Sequence, residues 1–249
     1  MLIGDKVIAE GVLSPYILKG LTASTEYAVR VVNALGETET LLFTTADETY
    51  KEVTLILDFK DKVEGDSDIN PHSYHRNWSS DLLPPSNAGY EENDQTSYEA
   101  IANLDGIVDL KMEKGSSAVA KVLFKFNVLE SIKRIYPKLF TDLNFEGQIN
   151  LLKANVTSWK ASIHGFGSGI SGYGLTMALF RESAWGINAD EVNKTEQIKE
   201  IMWDTNFARY LQQDGFIYVL AYAGTGSTTV ESAVNIDYAN LEITLLIQD

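Results

Sequence analysis

The sequence predicts an all-β protein: a small antiparallel unit followed by a larger β-sandwich carrying one or two short helices. Three observations support this. Short runs rich in β-branched and aromatic residues recur between turn clusters, as in TLLFTT, VTLILDF and FIYVLAYA. Several of these runs alternate with a period of two, the signature of a strand with one buried face. Helical spacing of apolar residues is confined to two short stretches, and no repeat of solenoid or propeller period is present.

Residues 1 to 46 read as four short strands, KVIAEGV, YILKGL, EYAVRVVNA and TLLFTT, parted by LSP, TAST and LGET. In the third, Tyr27, Val29 and Val31 share a face opposite Ala28, Arg30 and Val32. ADETYKE, residues 46 to 52, is polar and reads as a linker, and a second region spans residues 53 to 249. It opens on the strand VTLILDF and continues into a long polar stretch studded with aromatics, which reads as a functional loop. IVDLKM and AVAKVLFKFNV form a strand pair. ESIKRIYPKLF sets Ile132, Ile135, Tyr136 and Leu139 at helical spacing until Pro137 limits the helix. NVTSWKASI puts Thr157, Trp159, Ala161 and Ile163 on one face, and YGLTMALF does the same for Tyr173, Leu175, Met177 and Leu179. FARYLQQDG suits a short helix ending at Gly215. FIYVLAYA and VNIDYANLEITLLI close the chain as strands.

Between two of these strands lies HGFGSGISGYG, where Gly167, Gly169 and Gly172 match G-x-G-x-x-G and Asp190 follows downstream. A dinucleotide loop needs a buried parallel strand before it and a helix after it. Here the preceding strand is half polar and the following segment has period two. The glycines are therefore assigned to a hairpin between antiparallel strands, supplying positive φ and close backbone approach.

Composition narrows the function. The 249 residues carry a net charge of −15, which opposes binding to phosphate backbones, so no nucleic-acid partner is expected. The absence of cysteine removes disulfides, thiolate metal sites and Cys nucleophiles. No apolar run approaches the roughly 20 residues of a membrane helix, so no membrane partner is expected. Asp66, Asp68 and Asn70 have D-x-D-x-N spacing, but Pro71 and Asn77 stand where an EF-hand needs Gly and Glu. A solvated acidic loop is preferred there over an irregular calcium site, and no cofactor is expected. His72 and His75 have H-x-x-H spacing without a third ligand or a helix, which argues against zinc. His72 is expected to bond backbone and His75 to be exposed. With 35 acidic residues, an apparent catalytic carboxylate pair carries no weight, and no enzyme is expected.

Two resemblances add to this reading. GLTASTEYAVRVVNALGE resembles the second half of a fibronectin type III module, with Tyr27 placed like its tyrosine-corner residue, although such a sandwich takes about 100 residues. NPHS, LPPS, FKFNV, the SW of VTSWKASIHGFGSG, LFRESAW, DGFIYVLAYA and NIDYANLEI together resemble a jelly-roll domain of phage tail and prophage-encoded surface proteins of Gram-positive bacteria. The family's usual basic residue before the two prolines is replaced here by Leu83. The resemblance implies a virion tail protein, extracellular on release, that binds host cell-wall polysaccharide and neighbouring tail or baseplate proteins as a homo-oligomer. A purely structural or decorating role is the alternative.

Saccharide recognition asks for aromatic faces beside polar side chains. The stretch from 70 to 98 offers Tyr74, Trp78, Tyr90 and Tyr98 interleaved with His75, Arg76, Asn77, Asn87 and Asn93. The expected saccharide site is Tyr74, Arg76, Trp78, Tyr90 and Tyr98 with Trp185. Trp159, in mid-strand on an apolar face, is expected in the core, and Asp237 is expected to orient a neighbouring loop.

Overall fold

The computed structural model describes residues 2–3, 6–7, 18, 21–22, 25–30, 32–33, 36–37, 40–45 and 50–248. The chain divides into two compact units, 1–52 with 246–249 and 53–245. Strand makes up 45% and helix 16%, in antiparallel sheets, which is the all-β class the sequence predicts.

The first unit holds β1 (Leu2–Ile3), β2 (Lys6–Val7), β3 (Glu26–Arg30), β4 (Val32–Asn33), β5 (Gly36–Glu37) and β6 (Leu41–Thr44). Four of them form a sheet in the order β2-β1-β3-β6, and β4 pairs with β5. The Tyr27 hydroxyl accepts a hydrogen bond from the Thr22 amide at 2.7 Å, five residues upstream, and its ring stacks on Phe43 at 5.8 Å. That back-bond is the device by which a tyrosine corner fixes the entry to a strand. Val29 is buried as its alternation implies, whereas Val31 lies outside the described residues.

The second unit is a two-layer sandwich. Its strands in order are β7 (Tyr50–Leu57), β8 (Ser73–Asn77), β9 (Glu91–Glu92), β10 (Asp109–Glu113), β11 (Lys121–Asn127), β12 (Val156–Gly169), β13 (Gly172–Tyr173), β14 (Leu175–Arg181), β15 (Ala184–Asn193), β16 (Lys199–Trp203), β17 (Phe216–Ala223) and β18 (Ser232–Gln248). One sheet runs β10-β18-β12-β13, with β16 also on β12 and β7 also on β18; the other runs β15-β14-β17-β11-β8-β9. Alternation sends Val122, Phe124 and Phe126 of β11, Leu175, Met177 and Leu179 of β14, and Ile217 and Val219 of β17 inward. From the facing sheet come Trp159, Ala161 and Ile163 of β12 and Val234, Ile236, Leu241 and Ile243 of β18, all buried. Trp159 is thus a core residue, and Asp237 accepts from the amides of Asp105 and Gly106 at 3.3 and 2.9 Å, holding the adjacent loop.

More helix is present than the one or two short pieces expected: α1 (Gln95–Ala100), α2 (Val128–Ile135), α3 (Phe145–Asn155) and α4 (Phe207–Tyr210), with a 3₁₀ turn over Pro137–Phe140. Side-chain caps start three of them, with Asp94 accepting from Ser97, Asn127 from Glu130 and Asn144 from Gly147. The stretch read as one long loop contains β8, β9 and α1.

The glycine segment is also refined. Gly167 and Gly169 lie inside β12, which pairs with β13 across a tight turn, and of the three only Gly172 has positive φ, at +93°. At Gly169 a Cβ would stand 2.5 Å from the backbone of Gly224, because the end of β12 abuts the turn after β17 and Ile170 donates to the Thr225 carbonyl at 2.9 Å. Close approach between the two sheets therefore requires glycine at that position. Gly169→Ala is expected to cost about 1–3 kcal/mol in urea unfolding. Gly174→Ala, where a Cβ meets nothing within 4 Å, is expected to cost far less.

His72 is buried, and its Nδ1 accepts the Asn127 amide at 3.0 Å at the start of α2. Burial, aided by the Lys62 and Arg134 cations, lowers its pKa to about 3. The unfolded chain binds the proton first, so this group's contribution to stability is complete above the unfolded pKa near 6.5 and declines as pH falls toward 3. The expected slope reaches about 1.4 kcal/mol per pH unit. Chemical denaturation of wild type and His72→Gln between pH 7 and 4 checks this, with the gap between the two narrowing as pH falls.

Candidate functional site

The outer face of the β15-β14-β17-β11-β8-β9 sheet carries the site. Register aligns Ser73 of β8, Lys125 of β11 and Tyr218 of β17 in one row. The pairing of Leu179 with Val219 continues that row to Phe180 of β14, and Phe180 pairs with Trp185 of β15. The Phe180 ring meets Trp185 edge-on at 5.2 Å and Tyr218 at 6.3 Å, while Phe216 stacks parallel on Tyr218 at 5.6 Å. The next row, His75, Leu123, Leu220 and Ala178, is covered by Tyr90, Leu82 and Leu83 from the segment between β8 and β9.

That covering segment is tied down by polar contacts. Trp185 donates its indole N–H to the Leu83 carbonyl at 2.8 Å, and the Tyr90 hydroxyl donates to the same oxygen at 3.1 Å. Lys121, fully buried, donates its ammonium to the carbonyls of Ser79 and Asp81. Burial lowers the Lys121 pKa to about 8, partly offset by Asp81. The Leu83 side chain packs inward and its carbonyl accepts twice, so this residue holds the covering segment in place.

Where the cover ends, the aromatic row borders an open groove of about 490 Å³. Phe180 and Tyr218 line it together with Pro85, Ser86, Lys153, Glu182, Arg209, Gln212 and Asp214. The Asp214 carboxylate accepts from the Phe216 amide at 3.1 Å and from the Tyr218 hydroxyl at 2.6 Å, which fixes both rings. Burial first, and then this bond, raise the Tyr218 pKa, so the phenol stays neutral. Gln212 donates to the carbonyls of Phe180 and Tyr210, joining α4 to β14. Rigid aromatic surface beside oriented polar groups is suited to hold a small polyhydroxylated ligand.

The six residues expected from sequence are placed differently. Tyr74 and Tyr98, 0% and 1% exposed, sit in an aromatic cluster around Phe59, and Tyr74 stacks on Phe124 at 4.9 Å. The Tyr74 hydroxyl donates to Asp109 at 2.8 Å and that of Tyr98 to Glu92 at 2.7 Å. Neither ring has a face left for a ligand. Tyr90 is buried on the inner side of the covering segment. Arg76 pairs with Glu91 at 3.4 Å, and Trp78 is half-buried. Trp185 alone of the six belongs to the aromatic row. The groove is instead bordered by Phe180, Tyr218 and Arg209, with Phe216 stacked on Tyr218; the alternation of Phe216, Tyr218, Leu220 and Tyr222 in DGFIYVLAYA carries the sequence signal for Phe216 and Tyr218, whereas no local pattern marks Phe180 or Arg209.

The acidic run is organised around an ammonium. Lys62, 5% exposed, donates to the Asp66 carbonyl and, at 3.1 Å, to that of Asn70. Asn70 gives its amide to the carbonyls of Asp58 and Lys60 at 2.9 Å, and Asp66 accepts from the Asp68 amide at 2.7 Å. Among the described residues no group of three or more His, Asp or Glu is placed to hold a metal ion. His75 is half-buried rather than exposed, its Nε2 lies 2.9 Å from Ser73 Oγ, and burial with the Lys125 cation lowers its pKa to about 4.

The fold and groove define an all-β sandwich with an open aromatic cleft on one outer sheet face. No family model, curated protein or solved structure matches the chain. No helix among the described residues is long and apolar enough to cross a membrane.

Because Lys121 holds the groove's covering segment, Lys121→Met leaves two loop carbonyls without their cation. An expected loss of about 1–3 kcal/mol should come with faster amide exchange over residues 79 to 90, read by hydrogen–deuterium exchange.

Proposed function

We propose that this chain is a non-catalytic attachment module whose groove binds saccharide of a Gram-positive cell wall, carried in several copies on a phage or prophage tail. The observation that carries the reading is the uncovered end of the cross-strand row, where Phe180 and Tyr218 face an open groove rimmed by Ser86, Gln212, Arg209 and Lys153. Sugars are held in such places by stacking of C–H surfaces on rings and by hydrogen bonds to hydroxyls. Asp214 is committed to Phe216 and Tyr218, which leaves Glu182 without a second free carboxylate in the groove for acid–base hydrolysis. The tail setting rests on the jelly-roll resemblance and on the need of weak single sites for multivalency.

One observation favours the alternative of a decorating or structural virion protein. On the outer face of the other sheet, Ile56, Leu110 and Met112 are 61%, 46% and 49% exposed along the same side of β18. Apolar side chains so placed suit contact with a neighbouring protein.

Fluorescently labelled protein applied to intact Gram-positive cells and purified wall polysaccharides separates the two. Saturable binding that weakens by about tenfold or more in Phe180→Ala and Tyr218→Ala, with unchanged melting temperature, is the expected outcome. If protein multimerised on beads binds no wall across a broad strain panel, the saccharide reading fails.

A further inference from the structure

The sheet that does not carry the groove has polar and aromatic groups of its own on its outer face. Register sets Glu200 of β16, His164 of β12 and Tyr238 of β18 side by side in one row. The adjoining rows hold Phe166 with Asn235 and Ser162 with Asn240. All project outward, because the alternate residues Ile163, Ile236, Ala239 and Leu241 fill the core. The imidazole of His164 lies 5.9 Å from the Tyr238 ring, and Phe166, two residues along β12, is half-buried like both of them.

On this face the fold leaves polar capacity unused. Asn235 and Asn240 are each 8% exposed, yet neither side-chain amide bonds another group among the described residues. The His164 ring likewise makes no hydrogen bond among the described residues. A largely buried amide without a partner costs free energy, so two of them beside a free imidazole call for a reason beyond folding. The carboxylates of the patch, by contrast, are engaged. Glu200 accepts from Ser162 Oγ at 2.7 Å and from Lys160 at 3.3 Å, and Asp58 accepts the Tyr238 hydroxyl at 2.8 Å. Asp237 holds the amides of Asp105 and Gly106. Burial lowers the His164 pKa against the opposing pull of Glu200 and Asp237, so its ring is neutral near pH 7.

The groups left open are uncharged: two amides, each with donors and an acceptor, and an imidazole with one of each, beside the rings of Phe166 and Tyr238. An anion would meet Asp58, Glu200 and Asp237 there, with the Lys160 ammonium already engaged by Glu200. A neutral sugar meets no such penalty, and it offers hydroxyls to the amides and C–H surface to the rings. We infer that this sheet face is a second binding site, for a neutral saccharide, in which Asn235, Asn240 and His164 bond hydroxyls and Phe166 and Tyr238 supply the stacking surface. Leu110 and Met112, paired with Asn235 and Ala233, form its apolar border on β10. The site shares no residue with the aromatic groove, so it goes beyond the reading given to that groove and does not depend on it.

Calorimetric titration of the full chain with gluco-, galacto- and manno-oligosaccharides, N-acetylglucosamine oligomers and oligogalacturonates tests this, with Phe180→Ala as the background that silences the groove. The expected result is that at least one neutral series binds this background and oligogalacturonates do not. Adding His164→Ala should weaken that binding about tenfold or more. Asn240→Leu should weaken it as much while leaving the melting temperature unchanged or raised, because it removes an amide that bonds nothing; an asparagine serving the fold would lower it. Neutral binding by wild type that Phe180→Ala abolishes overturns the inference and leaves the groove reading intact. Binding in the Phe180→Ala background that survives both His164→Ala and Asn240→Leu also overturns it, as does the absence of binding by every neutral series. A dimer in sedimentation velocity that Met112→Lys dissociates, with no sugar bound, assigns the face to a second copy of the chain instead.

Discussion

The register of β17 between β11 and β14 is the constraint on which the rest depends. Seven residue pairs join it to β11 and five to β14. Because side chains alternate across a strand, that register alone decides that Ile217, Val219 and Ala221 fill the core while Phe216, Tyr218, Leu220 and Tyr222 face outward. A slip of one residue would bury two tyrosines against Phe124 and bring the core aliphatics to the surface. Neighbouring strands then inherit the arrangement, since Lys125 is opposite Tyr218 and Leu123 opposite Leu220. The groove is thus a by-product of core packing, with its aromatic floor fixed by the same hydrogen bonds that hold the sandwich together.

Outward-facing apolar side chains on a sheet must be covered or used. On this face Tyr90, Leu82 and Leu83 cover the middle of the sheet and leave the end near β14 and α4 open. Holding the cover requires satisfying loop carbonyls that no strand reaches, and the buried Lys121 ammonium does so for Ser79 and Asp81. Lys62 plays the same part in the acidic loop, donating to Asp66 and Asn70. In both cases an internal ammonium supplies the positive charge around which a polar segment turns. An aspartate-rich spacing such as that of Asp66, Asp68 and Asn70 is then compatible with a loop folded on the chain's own amine.

Much of the fold was legible because period-two alternation is a local property. The inward faces of β12 and β14, the core position of Trp159 and the loop held by Asp237 all follow from residues two apart or from one polar side chain in an apolar strand. The Tyr27 back-bond was legible for the same reason, being set by five residues of local chain. What escaped was anything decided by partners distant in sequence. SYHRN looks polar, yet its pairing with β11 turns Tyr74 onto Phe124 and makes β8 an interior neighbour. α1 and α3 escaped because their signals are caps, Asp94 and Asn144, rather than long apolar periodicity.

The burial of Tyr74, Tyr90 and Tyr98, expected from the sequence to be accessible, has the same origin. Aromatics concentrated in a polar segment suggest an exposed platform, but a ring in such a segment gains most free energy by burial when a core is within reach. Phe59 provides that core: His72, Tyr74, Tyr98, Phe124 and Phe126 all pack around it, with centroids between 5.3 and 6.2 Å. Each hydroxyl brought in is satisfied, Tyr74 on Asp109 and Tyr98 on Glu92, so burial leaves neither of them unpaired. Rings that stay accessible are those a strand forces outward and a loop fails to cover. Phe180 and Tyr218 meet both conditions, and they do so from strands whose apolar character had marked them for the interior.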